Sequence, residues 1–259
     1  MSGETMMSRE FSKRKQREMR KKERMEMLDM GDLMMSRRRF IKALGYFQDV
    51  IELDPSYKTA WLKKGDALKE LRRYRKALDA YKQAVSLDPD FALANEKIGM
   101  ILMILKRPDE AIPYFKESLR CNPRNVETWY MNGVANMRMG RFKEALDSLE
   151  KALHLDPRNK SVLKAKGDSL MELNDFRGSL ACFKKALELD PNYGRARDSL
   201  REMRTRIIEN AGGFLVGKGG SSEDDDSRTG EENNEVDPDQ YEEIGDDEVE
   251  ELEELELIE

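Results

Sequence analysis

The sequence predicts an all-α fold, an α-solenoid of stacked antiparallel helix pairs. Three observations carry that expectation. Pro55, Pro89, Pro123, Pro157 and Pro191 stand 34 residues apart. Gly31, Gly65, Gly99, Gly133 and Gly167 keep the same step of 34 without a slip. Between these marks, apolar residues recur at i, i+3 or i+4, and i+7, the period of an amphipathic helix. A unit of this size cannot bury its apolar face alone, so the copies must stack.

Taken in order, residues 1–23 form a basic extension, and residues 9–24 carry nine basic and three acidic side chains. A solvated helix ahead of the first copy is the plainer expectation. An arm that touches RNA or another polyanion is the functional one. Only Phe11 interleaves these bases, which gives base stacking little support. Five copies follow, at 24–57, 58–91, 92–125, 126–159 and 160–193. The first half of each, such as "TAWLKKGDALKELRR", is an amphipathic helix. Its internal Gly costs about 1 kcal/mol against Ala, so it marks a close approach by another element. The second half, such as "YRKALDAYKQAVSLD", is a second helix, ended by the Asp-Pro or Asn-Pro behind it. Ala43, Ala77, Ala111, Ala145 and Ser179 are expected to face the Gly. Phe47, Tyr81, Phe115, Leu149 and Phe183 are expected to fill the space beyond. Turns such as "LRRYR" and "MGRFK" are short enough to force antiparallel neighbours. The third copy departs with Asn95 at a usually apolar place, with Pro108 at a helix start and with Pro113 one turn in, where a slight bend is expected.

Residues 194–211 supply a capping helix with a stripe of Ala196, Leu200, Met203 and Ile207. Beyond it the composition changes. Residues 212–259 hold 20 acidic side chains against Lys218 and Arg228, a net charge of −18. Residues 1–211 hold 32 acids and 44 bases, a net of +12, so a basic body carries an acidic tail. The tail is expected to be disordered, with a flexible linker first. A short helix over 247–258 is possible, because Val249, Leu252, Leu255, Leu257 and Ile258 recur there. That end is a candidate partner for the chain's own basic body or groove.

The places Trp61, Gly65, Ala77, Tyr81, Ala84 and Pro89 follow the pattern of the tetratricopeptide repeat family, which the five copies resemble over about two thirds of the chain. The resemblance implies a right-handed superhelix. It also implies a concave groove, lined by the first helices, that holds a peptide or a helix of a protein partner. The best known ligand of the family is the Glu-Glu-Val-Asp end of heat-shock chaperones, gripped by a carboxylate clamp. Three residues before each Gly stand Leu28, Leu62, Glu96, Tyr130 and Lys164. One residue after it stand Asp32, Asp66, Met100, Val134 and Asp168, and no three successive copies reproduce the clamp. The groove places of the third and fourth copies are apolar instead, with Leu93, Met100, Met103, Ile104, Tyr130, Val134 and Met137. Methionine adapts its shape to varied partners. The expected lining therefore comprises Leu28, Leu62, Leu93, Met100, Met103, Tyr130, Val134, Met137, Lys164 and Met171.

Nothing in the sequence points to catalysis. His154 is the one histidine and is expected to be partly exposed. Cys121 and Cys182 have no histidine in register and read as small buried hydrophobes in a reducing, cytoplasmic compartment. No zinc spacing occurs, and "GKGGSS" lacks the strand and the preceding glycine of a phosphate loop. No run of 18 apolar residues could cross a membrane, and no secretory signal is evident. The expectation is a cytoplasmic, non-enzymatic interaction scaffold with no cofactor or metal, whose partner is a peptide or an amphipathic helix. The alternative is a nucleic-acid-associated factor that uses the basic arm, with the acidic tail as intramolecular competitor. A weaker third reading is a targeting subunit for an enzyme encoded separately.

Overall fold

The structure, a computed structural model, describes residues 3–218. The described residues form helices only: α1 (Gly3–Ser36), α2 (Phe40–Leu53), α3 (Lys58–Glu70), α4 (Tyr74–Leu87), α5 (Ala92–Ile104), α6 (Pro108–Cys121), α7 (Val126–Arg138), α8 (Phe142–Leu155), α9 (Lys160–Glu172), α10 (Phe176–Leu189) and α11 (Gly194–Lys218). The all-α expectation of helix hairpins in an α-solenoid therefore holds. The acidic stretch 219–259, with the short helix expected over 247–258, lies outside the described residues. Two boundaries differ from the sequence reading. Helix α1 is continuous with the basic extension, and α11 runs on through 212–218, where a linker was expected.

The described residues form two compact units, one with α1–α7 and the other with α8–α11. In each, every helix packs against the next one along the chain. Alternate helices also touch, α5 against α7 in the first unit and α9 against α11 in the second. The stripe Ala196, Leu200, Met203 and Ile207 of α11 is buried, the last three against Met171, Phe176, Leu180 and Phe183.

Four of the five repeated glycines receive aromatic rings, which corrects one expectation. A Cβ built on Gly31, Gly65, Gly99 or Gly167 would meet the ring of Phe47, Tyr81, Phe115 or Phe183 at 2.4–2.5 Å. The aromatic, sixteen residues on, therefore lies directly on the glycine and not beyond it. The small residue twelve places on sits nearby, as the fifth copy makes visible. There Ser179 Oγ donates to the Gly167 carbonyl at 2.9 Å, so a buried hydroxyl takes the place of alanine without an orphaned donor.

Asn95 has a similar explanation. It is 1% exposed, and its Nδ2 donates to the carbonyl of Pro89 at 2.9 Å. Trp61 and Trp129, at the same register, donate Nε1 to the carbonyls of Pro55 and Pro123, each at 2.9 Å. In these three copies an N–H donor ties the incoming helix to the turn six residues back, and Asn95 supplies it in a smaller volume, whereas Met27 and Leu163 hold the place in the first and fifth copies without one. Pro108 occupies the first turn of α6, and the helix continues through Pro113.

The first helix of each hairpin ends on a left-handed residue at 38, 72, 106, 140 and 174, again 34 apart, with φ between 55° and 69°. Gly140 suits that conformation best, and Asn174 tolerates it better than the basic residues do. Arg38, Arg72 and Lys106 hold it because the turn closes tightly: after Lys106, Arg107 N donates to Leu102 O at 2.9 Å. Lys106→Gly is expected to stabilise the protein by about 0.5–1 kcal/mol, because the strain relieved exceeds the entropy that glycine adds to the unfolded chain. A denaturation midpoint raised at unchanged slope would show it. A lowered midpoint would show that the lysine stem contributes more than its backbone costs.

Hairpins are also stapled over 30 residues. Arg24 bonds Asp54, Lys58 bonds Asp88 and Lys160 bonds Asp190. The same cations lie over the rings of Tyr57, Phe91 and Tyr193, at 4.1, 4.8 and 5.2 Å from the ring centres. The Lys58 and Lys160 ammonium groups hold the Asp88 and Asp190 carboxyls below their ordinary range. The Asp54 carboxyl is lowered first by the Ser56 hydroxyl and then by Arg24. One of the nine bases in the N-terminal run thus serves the fold.

Candidate partner-binding face

Helix α5 reads "ALANEKIGMILMI" and is apolar on nearly every side, which is why it serves two faces at once. Ile98, Ile101 and Leu102 are 0% exposed and build the core of the first unit. Leu93 and Ile104 are left 42% and 49% exposed, and Met100 is half-buried. On α7, Tyr130, Val134 and Met137 are half-buried. These six residues give neighbouring helices a shared accessible apolar surface.

Two contacts fix α5 and α7 to each other. Glu96, 8% exposed, accepts hydrogen bonds from Asn125 Nδ2 at 2.6 Å and from Thr128 Oγ1 at 3.0 Å. Nearer the other end, Arg138 Nη1 donates to the Met103 carbonyl at 3.1 Å. Glu127 lies near that buried carboxylate. Its own carboxyl is raised by burial first and by the Glu96 charge second. The register had placed Glu96 in the groove. Its depth and its partners were not legible from spacing, although polar Asn125 and Thr128 follow it by 29 and 32 residues.

Four of the expected lining residues belong to the core. Leu28 and Leu62 are each 5% exposed, Met103 6% and Met171 3%. Each joins a buried cluster, Met171 for instance packing with Phe176 and Met203, and offers a partner almost no surface. Lys164, on α9 of the second unit, is committed elsewhere: its Nζ bonds Asp168 at 2.6 Å, and Asp168 also accepts from Ser199 at 3.0 Å. The other acidic places are satisfied too. Asp32 takes the Lys63 ammonium at 2.7 and 2.8 Å, and Asp66 accepts the Tyr81 hydroxyl at 2.8 Å. Burial, followed by the Asp66 charge, pushes the Tyr81 phenol up.

The residues considered for chemistry lie apart. His154 is exposed in the last turn of α8. Cys121 is exposed at the end of α6, which corrects its expected burial. Cys182 is half-buried, and burial raises its thiol. Asp90, Glu117 and Cys121 bring ligand-type atoms within 4.8 Å of one another. However, the Arg120 guanidinium already bonds both carboxylates, Glu117 at 2.7 Å, and fills the role a cation would take. Among the described residues, no helix is long and apolar enough to cross a membrane.

Two family models, both described as tetratricopeptide repeat, match the sequence, one over residues 62–126 and the other over 126–159 and 161–193. No curated protein matches it. Among solved structures, the chain resembles YrrB, described as a TPR protein with an unusual peptide-binding site. That likeness has a TM-score of 0.62 at 21% identity and covers 67% of this chain and 89% of YrrB. MamA is similar at a TM-score of 0.61 and 22% identity, over 66% of this chain and 94% of MamA. MamA from residue 41 onward of Desulfovibrio magneticus RS-1 gives 0.62 at 19% identity, over 66% and 96%. Likeness at these identities speaks to the fold.

Proposed function

The chain belongs to the tetratricopeptide repeat family, whose arrays are protein–protein interaction scaffolds, and from that premise we propose that it seats an apolar or amphipathic segment of a protein partner on the α5–α7 face. The observation that carries the reading is the exposure of Leu93 and Ile104 on a helix whose other faces are already in the core. Exposed apolar residues grouped in this way mark an interface. Met100 and Met137 let that interface adjust to its guest. The Glu96 and Arg138 contacts hold α5 and α7 together before any partner arrives, which lowers the ordering cost of binding. No carboxylate clamp takes part, because Asp32 and Asp66 occupy clamp places and are engaged within the fold. YrrB, with its peptide-binding site, lends support by analogy of fold.

The full chain would be used to capture partners, and the captured protein then titrated against Met100→Asp/Val134→Asp. An unpaired charge buried in an apolar contact costs at least about 2 kcal/mol, so affinity is expected to fall roughly thirtyfold or more with the helical spectrum unchanged. Retained affinity in a folded double variant would reject this face as the seat.

A further inference from the structure

A second surface lies in the first unit, away from the α5–α7 face. A cleft of about 720 Å³ opens between α2 and α4, with α3 as its floor. Its existence is written in two small residues. Gly45 contributes no side chain, and a Cβ added there would meet nothing within 4 Å. Ala80 stands opposite on α4. One copy later the corresponding places hold Asp79 and Tyr114, and Tyr114 packs against the core. Its apolar lining is Leu44 from α2 and Trp61 from α3, above Leu68, which is 3% exposed. Ile41 at the lip is 71% exposed, the most exposed large apolar side chain among the described residues.

The rim is cationic. Lys64 lies 4.9 Å from the Trp61 ring centre and donates to Gln48 Oε1 at 2.7 Å, and among the described residues no acid pairs with it. Burial lowers its ammonium from the usual lysine range, as expected for a cation half withdrawn from water. Arg73 and Lys76 also line the cleft, and among the described residues neither pairs with an acid. Asp79 is the one acidic lining residue. A guest suited to this cleft carries several acids and an apolar stripe.

The chain contains such a segment. Residues 247–259, "DEVEELEELELIE", hold eight acids and no base, with Val249, Leu252, Leu255 and Ile258 at steps of three, close to one face of a helix. The α5–α7 face is the poorer host, since Glu96 and Glu127 already repel each other there. We propose that the α2–α4 cleft is the seat of residues 247–259, with the leucine stripe on Ile41, Leu44 and Trp61 and the glutamates at Lys64, Arg73 and Lys76. The reading is independent of the partner face, and each can fail alone.

Hydroxyl-radical footprinting of the full chain, read by mass spectrometry at Trp61 with Trp129 as internal reference, tests it. A tethered segment at an effective concentration of about 1 mM, with a Kd near 0.5 mM, fills the cleft about two thirds of the time and slows Trp61 oxidation about threefold. That protection is expected to vanish in Glu250→Lys/Glu251→Lys/Glu253→Lys/Glu254→Lys, and equally in Arg73→Glu/Lys76→Glu. Free 247–259 peptide at a few times that Kd should restore it to the first variant and not to the second. Equal Trp61 rates in wild type and tail variant would overturn the proposal. So would protection that survives Arg73→Glu/Lys76→Glu, because the segment would then sit elsewhere.

Discussion

Gly65→Ala is expected to destabilise the protein by about 2 kcal/mol, although alanine is the better helix former by about 1 kcal/mol. The new Cβ would lie 2.4 Å from Cε1 and 2.5 Å from Cδ1 of Tyr81. The ring cannot retreat. Tyr81 is 0% exposed, and its hydroxyl is held at 2.8 Å by Asp66. Overpacking of a full core costs about 1–3 kcal/mol, and a ring pinned on its far side belongs at or above the top of that range. Gly45→Ala is the internal control. It lies inside α2 with nothing within 4 Å of the added methyl, so there only the propensity gain remains, up to about 1 kcal/mol of stabilisation. Denaturation midpoints of the two variants should move in opposite directions. If both rise, the glycine places are not packing sites and the account of the repeat fails.

Phe115→Ala is expected to cost about 3–5 kcal/mol, a large part of an ordinary domain's stability. Phe115 is 0% exposed and lies over Gly99, while Ile98, Ile101 and Leu102 are equally buried and have no slack with which to fill a void. Phe115→Leu should cost only about 1–2 kcal/mol, since it leaves a smaller cavity. The fourth copy itself carries Leu149 at this register. The pairing with glycine gives a sharper check. In the Phe115→Ala background, Gly99→Ala should become neutral or stabilising, whereas with Phe115 present it should destabilise. Additive effects in that cycle would mean that ring and glycine do not meet.

The arrangement of helices was open to reading because its signals are local and repeated. A proline ends each second helix and a glycine marks each first one, and both act through backbone sterics that require no knowledge of the neighbour. The staples were also within reach. A base at 24, 58 and 160, an Asp 30 residues later and an aromatic 33 residues later are visible once the structure shows what they do. The lining was less accessible. Leu28 and Leu62 share their register with Tyr130, and Met103 shares its own with Met137, yet the first of each set is buried and the second is half exposed. Register assigns a residue to a side of its helix, but the side chains of the adjoining helix set how deep it lies. Asn95 shows the reverse case. By type it looked like a flaw, and the Pro89 carbonyl makes it a fitting donor.

The amino-acid sequence alone determined the helix pairs, their step of 34 residues and the places where an aromatic ring and a glycine would be needed. These follow from period and backbone geometry, which each copy specifies for itself. Tertiary structure alone decided which apolar side chains remained at the surface, which carboxylates were satisfied, and that Gly45 and Ala80 would leave a cleft with unmatched cations at its rim. Those outcomes depend on atoms brought together from different helices, and burial and charge balance are properties of that meeting.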